Sequence, residues 1–168
     1  MIMSYTLNDE SLRRLKDWKI KNFRPVFQQF GMSFRQGMAA IFANTGGRVN
    51  PNRVVDGITW ERLDEKYRRW KASIVPFGTL VFDGTLADSF RKQGAPGNIE
   101  RIADYRAEYG SGLALARWHQ SGTRTIPARP IIYPSRARNK AFKQIMLDYF
   151  SAKFKQLGIN VELTLENT

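Results

Sequence analysis

In the segment that follows "IPARPIIYP", large apolar side chains return every three or four residues: Phe142, Ile145, Met146, Tyr149, Phe150, Phe154 and Leu157. That is the period of an α-helix, and it gathers these groups into one stripe. A stripe this broad cannot stay in water without aggregating. The chain must therefore supply a second apolar layer to cover it, and the expected layer is a sheet that includes a strand after Arg129. The stripe ends at Gly158, and the alternation of Ile159, Val161, Leu163 and Leu165 in "INVELTLEN" predicts a closing strand.

Two helices are expected at the other end of the chain. Leu12, Leu15 and Trp18 recur at helical spacing between Asp9 and Asn22, with Asn8 in position to cap them. Pro25 then breaks the chain and opens a second helix, along which Phe27, Phe30, Phe34, Met38 and Ile41 repeat. This pattern stops near Asn44, ahead of Gly46 and Gly47. The turn-forming stretch "NTGGRVNPNRVVDG" that follows reads as a link. It divides a single 168-residue domain into a helical arm, 1–44, and an α+β core, 45–168.

Beyond the link, Thr59 is placed to cap a helix with Trp60, Leu63, Tyr67 and Trp70 on one face. Glu61, Arg62, Glu65, Arg68 and Arg69 take its other face. "GTLVFDGTLADSFRKQG" carries Leu80, Phe82, Leu86 and Phe90 interrupted by an Asp83–Gly84 turn signal. "NIERIADYRAEYG" sets Ile99, Ile102 and Tyr105 among polar residues, as in a half-exposed strand. Ser111 then reads as the cap of a short helix from Leu113 to about Gln120, stopped near Gly122. Helices mixed with a few antiparallel strands and no βαβ repetition define an α+β class: N-terminal helices, and a small antiparallel sheet packed by a long C-terminal helix.

Composition narrows the chemistry. There is no cysteine, which excludes disulfides, thiolate metal sites and cysteine nucleophiles. His119 is the only histidine, too few for an ordinary zinc site. Ser111, Ser121, Thr123 and Asp104 lie near it in sequence, but no catalytic spacing joins them. "GGRVNPNR" lacks the Lys-Ser/Thr of a phosphate loop, and "GSG" at 110–112 lacks the remaining glycine of a dinucleotide fingerprint. Glu61 with Glu65, and Asp83 with Asp88, read as solvated charge rather than catalytic pairs. No cofactor, metal or enzymatic activity is expected. The opening "MIMSYTLNDESLRR" has no basic-then-apolar leader, and no apolar run approaches the roughly 20 residues of a membrane span.

Charge points to partners. Against 15 Asp and Glu stand 27 Lys and Arg, a net +12 that favours polyanions or acidic protein surfaces. The cations cluster at Arg13–Lys21, Lys66–Lys71 and Arg136–Lys143, interleaved with Trp18, with Tyr67 and Trp70, and with Phe142. Such mixtures occur in nucleic-acid binders, but these aromatics stand at core-facing helical spacing.

The stretch "WHQSGTRTIPARPII" resembles the signature of the phage virion morphogenesis (tail-completion) family, which includes the phage Mu G-type proteins. The matching residues are Ala116, Trp118, His119, Gln120, Gly122, Ile126, Pro127, Ala128, Arg129, Pro130 and Ile131. Two upstream elements agree. "WERLDEKYRRWKA", from Trp60, resembles the family's Trp-x-x-Leu segment, and "TLVFDGTLADSF", around Gly84, resembles its Gly-x-Leu-x-x-Ser element. Asp83 stands where the family carries a small hydroxyl residue.

The resemblance implies a structural protein rather than an enzyme. It implies a neck or tail-completion component that joins head to tail and is assembled in the bacterial host cytoplasm. Such a component acts as a ring, commonly of six copies, against neighbouring neck and tail proteins, with transient contact to passing DNA and none to a membrane. The alternative is a basic nucleic-acid-binding module. On the structural reading, the helix ending in Trp118-His119-Gln120, the Gly122 turn and the Pro127–Pro130 segment form a rigid corner. Arg129 is placed to bind carbonyl or carboxylate groups across that corner or across a subunit seam. In the arm, Trp18, Phe23 and Phe27 are more apolar surface than an isolated helix should expose. With Arg129 they are the candidate subunit-interface residues.

Overall fold

The computed structural model describes residues 23–44, 54–55, 58–75, 79–133 and 135–159. In chain order its elements are α1 (Arg24–Asn44), β1 (Val54–Val55), β2 (Ile58–Thr59), α2 (Glu65–Ile74), α3 (Thr85–Arg91), β3 (Asn98–Ile102), β4 (Ala107–Ser111), α4 (Ala114–Ser121) and α5 (Arg136–Gln156). β1 pairs antiparallel with β2, and β3 with β4. Helices pack on the β3–β4 hairpin, so the class is α+β, as the pattern of elements predicts.

The organising element is α1. Its three-four repeat puts Phe34, Met38 and Ile41 on one face, and all three are buried with Val26 and Phe42. Leu86, Ala87 and Phe90 of α3, Trp60, Leu80, Ala116 and Ile131 complete the cluster. Phe42 stacks on Phe90 with ring centroids 5.9 Å apart. The hairpin closes on α1 through Tyr109, whose hydroxyl donates to the Phe27 carbonyl. Its ring lies over Gly31, where an added Cβ would come within 2.7 Å of the ring. A glycine here is what lets helix and hairpin approach. Arg35 and Glu100, 2.5 Å apart and largely shielded, tie α1 to β3.

The stripe on α5 finds its cover on α1. Phe142 meets Phe30 edge to face at 4.7 Å, and Tyr149 and Phe150 lie 6.0 and 6.2 Å from Phe23. Phe30 also contacts Tyr109 at 5.5 Å, so the α1 rings fill the space between hairpin and C-terminal helix. The expected strand after Arg129 is absent: Pro130–Tyr133 run as irregular chain. Along α5 only Leu147 is fully buried, and the stripe residues are half-buried.

Several other expectations need correction. A boundary at residue 44 would cut through the core, because α1 is its central helix rather than an arm. Phe23 and Phe27 are half-buried in an intramolecular ring cluster with Tyr105, Tyr149 and Phe150, not held out for a neighbour. The helix expected from Thr59 starts at Glu65: Asp64 caps it by accepting the Tyr67 N–H, while Thr59 lies in β2. Tyr67 and Trp70 are about half exposed, and the buried residue of α2 is Lys71. Asp83–Gly84 opens α3 instead of turning between strands, with Asp83 accepting the Thr85 N–H. The single strand expected around Ile99–Tyr105 is a hairpin. Ser111 ends β4 rather than standing at the N-cap, which is Leu113, but its hydroxyl oxygen accepts the Leu113 N–H at 3.2 Å as the chain enters α4. The Asp9–Asn22 helix with its Asn8 cap, Trp18, the Arg13–Lys21 cluster, most of the 44–57 link and the strand from Val161 lie outside the described residues.

Met38 has no exposed surface. Met38→Ala should therefore cost about 2–5 kcal/mol in urea melts, the range for an unrelaxed core cavity. A loss near zero would contradict the central place given to α1.

Candidate functional site

The segment 114–133 forms a corner whose parts hold each other. α4 stops at Gly122, which takes a φ of 74°. A Cβ there would meet the Ala128 nitrogen at 2.9 Å and the Ile126 oxygen at 3.1 Å, so a side chain fails on both strain and space. The turn is closed by the Thr123 N–H donating to the Ile126 carbonyl at 2.8 Å. The Thr123 hydroxyl oxygen accepts the Ile126 N–H at 3.0 Å. Pro127 and Pro130 fix φ on either side of Arg129, whose own N–H donates to the His119 carbonyl at 2.6 Å.

Gln120 then takes the place of a neighbouring strand. Its Oε1 accepts the N–H groups of Ile131 and Ile132 at 2.9 and 3.0 Å, and its Nε2 donates to the Ile132 carbonyl at 2.6 Å. Held this way, Ile131 is driven wholly into the core. The corner is pinned to the segment before α2 by two further bonds. The Trp60 indole donates to the Pro130 carbonyl at 3.1 Å. The Arg129 guanidinium donates to the carbonyls of Glu61 and Arg62 at 3.1 and 3.3 Å. Arg129 is buried, and the groups it binds are backbone carbonyls of its own chain rather than a subunit seam.

Beside the corner lies a cavity of about 760 Å³, walled by residues 61–64, by Tyr67 and Lys71 of α2, by residues 79, 80, 82 and 83, and by residues 125–127 and 129. Leu86 and Leu115 give it apolar surface. Lys71 and Arg129 both line it and both are buried. The Lys71 ammonium donates to the Thr79 carbonyl at 3.4 Å. Burial first, then the Arg129 charge, push the Lys71 ammonium below its usual range. Burial lowers Arg129 as well, against the opposing pull of Glu61.

His119 shares this wall. Its Nδ1 is buried and has no hydrogen-bond partner among the described residues. The bond that joins His119 to the turn comes from its backbone carbonyl. Burial, then the charges of Arg129 and Lys71, hold the imidazole below its ordinary value of 6.5. No hydrogen bond links the ring to a carboxylate or hydroxyl among the described residues, so no nucleophile–base pair is assembled around it. Ser111 is engaged elsewhere, accepting from the buried Ser89 hydroxyl at 2.8 Å.

The structure thus brings Trp60, His119, Gln120, Gly122, Ile126, Pro127, Ala128, Arg129 and Pro130 together. Gly84 stands apart at the start of α3 with a φ of 87°, and Trp118 points outward, 44% exposed. Lys71 was not among the site residues expected from sequence, because a lysine in "YRRWKA" carries no local sign of burial. Phe82 was missed as well: it lies 47% exposed at the cavity edge, stacked on Trp70. Among the described residues there is no cluster of His, Cys, Asp or Glu fit for a metal, and no helix long and apolar enough to cross a membrane. No protein-family model, curated protein or solved structure matches the chain.

A single histidine makes the pH response of folding easy to assign. Its folded pKa is depressed, so between that value and 6.5 the unfolded chain holds the extra proton. The stability His119 lends by staying neutral is complete above about pH 6.5, falls as the pH drops through that window, and levels off below the folded pKa. Glu65, held down to about 2 by hydrogen bonds from Arg68 and Arg69, loses its contribution between its ordinary 4.5 and that value, below the range of the melts. Urea melts between about pH 7.5 and 5 should show this slope in the wild type and a flatter one in His119→Gln. An identical slope in both proteins would contradict the assignment.

Proposed function

We propose that this chain is a structural subunit of a phage neck, completing the tail and joining it to the head as a ring. One observation supports the reading best. The sequence elements that resemble the tail-completion family, Trp60 and the Trp118–Ile131 stretch, are far apart in the chain yet bond to one another. The Trp60 indole reaches the Pro130 carbonyl, and Arg129 reaches the carbonyls beside Trp60. A motif whose polar groups are engaged in bracing the backbone has the character of a scaffold that must keep its shape under load. A catalytic motif would leave such groups free for a reacting molecule.

The charge suits assembly on a partner. At net +12, copies of the chain repel one another in free solution. Docking on an acidic neighbour offsets that repulsion and raises the local concentration, so the ring closes on its partner rather than before it. The half-buried stripe of α5, with Ile145, Met146 and Phe154, offers apolar surface for such contacts. Tyr67 and Trp70, exposed and 5.5 Å apart, favour the second reading, a module that stacks nucleic-acid bases. Arg68 and Arg69 beside them are both bound to Glu65, which leaves fewer cations there for phosphates.

Sedimentation of the purified chain should show monomers. Phage grown without the protein should yield heads and tails that fail to join, and supplying it should restore joining. Normal virions in its absence would refute the assembly reading. Saturable DNA binding by the isolated chain, weakening steeply with salt, would favour the second.

A further inference from the structure

We propose that the cavity beside the corner receives a carboxylate side chain, an Asp or Glu carried by another polypeptide and flanked there by apolar residues. The proposal does not rest on the phage reading, since any acidic partner chain could supply the group.

The floor carries the argument. Lys71 and Arg129 are 4% and 3% exposed, and both line a space of about 760 Å³. The Arg129 guanidinium donates from Nε and one Nη to backbone carbonyls, which carry no net charge to offset its own; the exposed Glu61 carboxylate acts on it from the rim. On the same wall His119 Nδ1 is buried without a partner among the described residues. A buried donor or acceptor without a partner is costly, and the cost is removed when an incoming group bonds to it. A carboxylate answers all three features. It offers several acceptor sites, so it can take a proton donor from Lys71 and from a ring protonated at Nδ1, while its charge meets that of Arg129.

The rim decides which anion fits. Glu61, Asp64 and Asp83 line the cavity too, but all three are exposed, and Asp64 and Asp83 accept the N–H groups that start α2 and α3. A phosphodiester chain would run successive charges past these carboxylates. A single carboxylate on an uncharged stem passes them once and reaches the cationic floor. The mouth decides what carries it. Tyr67 and Phe82 line the cavity and continue outward through Trp70, which lies 5.5 Å from Tyr67 and 6.3 Å from Phe82, ring to ring. These three rings are 45–50% exposed. An aromatic strip running out of the cavity fits the apolar flanks of a peptide, whereas a small acid would leave it uncovered.

The lone histidine provides the reporter. In NMR titrations of the full chain, N-acetyl-Leu-Asp-Leu-amide should shift the His119 imidazole resonances saturably and raise the imidazole pKa by about one unit. The Asn counterpart of the peptide and sodium acetate should each bind at least roughly tenfold more weakly. Lys71→Met should abolish the preference for Asp over Asn. Phe82→Ala, at an exposed position, should weaken the peptide while leaving acetate unchanged, which keeps the test sound if Lys71→Met fails to fold. Equal binding of the Asp and Asn peptides would overturn the proposal. So would acetate matching the Asp peptide, which would mark a small-acid site, or a preference for inorganic phosphate or oligothymidylate. Head–tail joining in phage is a separate readout, so either idea can fail without the other.

Discussion

The side-chain amide of Gln120 does the work of a missing strand. Residues 130–132 carry Ile131 into the core, and among the described residues they make no backbone–backbone bond, yet a buried N–H or carbonyl must be bonded somewhere. Gln120 offers an acceptor to two successive N–H groups and a donor to the carbonyl of Ile132. The amide suits this because it holds an acceptor and a donor side by side on one planar group. The consequences spread outward. With the segment fixed, Ile131 fills the core, the Pro130 carbonyl meets Trp60, and Arg129 is held over the carbonyls of residues 61 and 62. The floor of the cavity is thus a product of the corner.

A second constraint lies in the sheet. Among the described residues the paired strands are short and joined two by two, and they do not cover the apolar stripes of the two long helices. The helices cover one another instead: α1 turns Phe30 toward both Tyr109 and Phe142, and Phe23, just ahead of α1, meets Tyr105 and Tyr149. Rings suit this role, since they bury large areas and tolerate edge-to-face contacts at several angles. The arrangement leaves α5 half-buried, and this is where core packing passes into the proposed contacts with other chains.

The two long helices were legible because their apolar period is local and unbroken. What the period could not convey was what each stripe would meet. It suggested a sheet under α5 where there is α1, and a detached arm where there is the core helix. Around Trp60 the local pattern misled for a definite reason. Trp60, Leu63, Tyr67 and Trp70 are spaced as a helical face, but Trp60 is needed at Pro130, and the helix begins only at Glu65, capped by Asp64. Lys71 then buries its stem where a tryptophan was expected. The corner residues were legible through resemblance, as a list. Their bonds were not, since a glutamine two positions before a glycine carries no sign of the backbone it will brace. The cavity was invisible in sequence, because its walls come from stretches with no shared period.

Amide hydrogen exchange tests the bracing by Gln120 most directly. The account predicts that the N–H groups of Ile131, Ile132 and Arg129 exchange slowly in the wild type. In Gln120→Ala the two isoleucine amides should speed up by roughly a hundredfold or more while the central amides of α1 keep their protection. Unchanged protection at Ile131 and Ile132 in Gln120→Ala would contradict it, because the corner would then be held by something other than that amide.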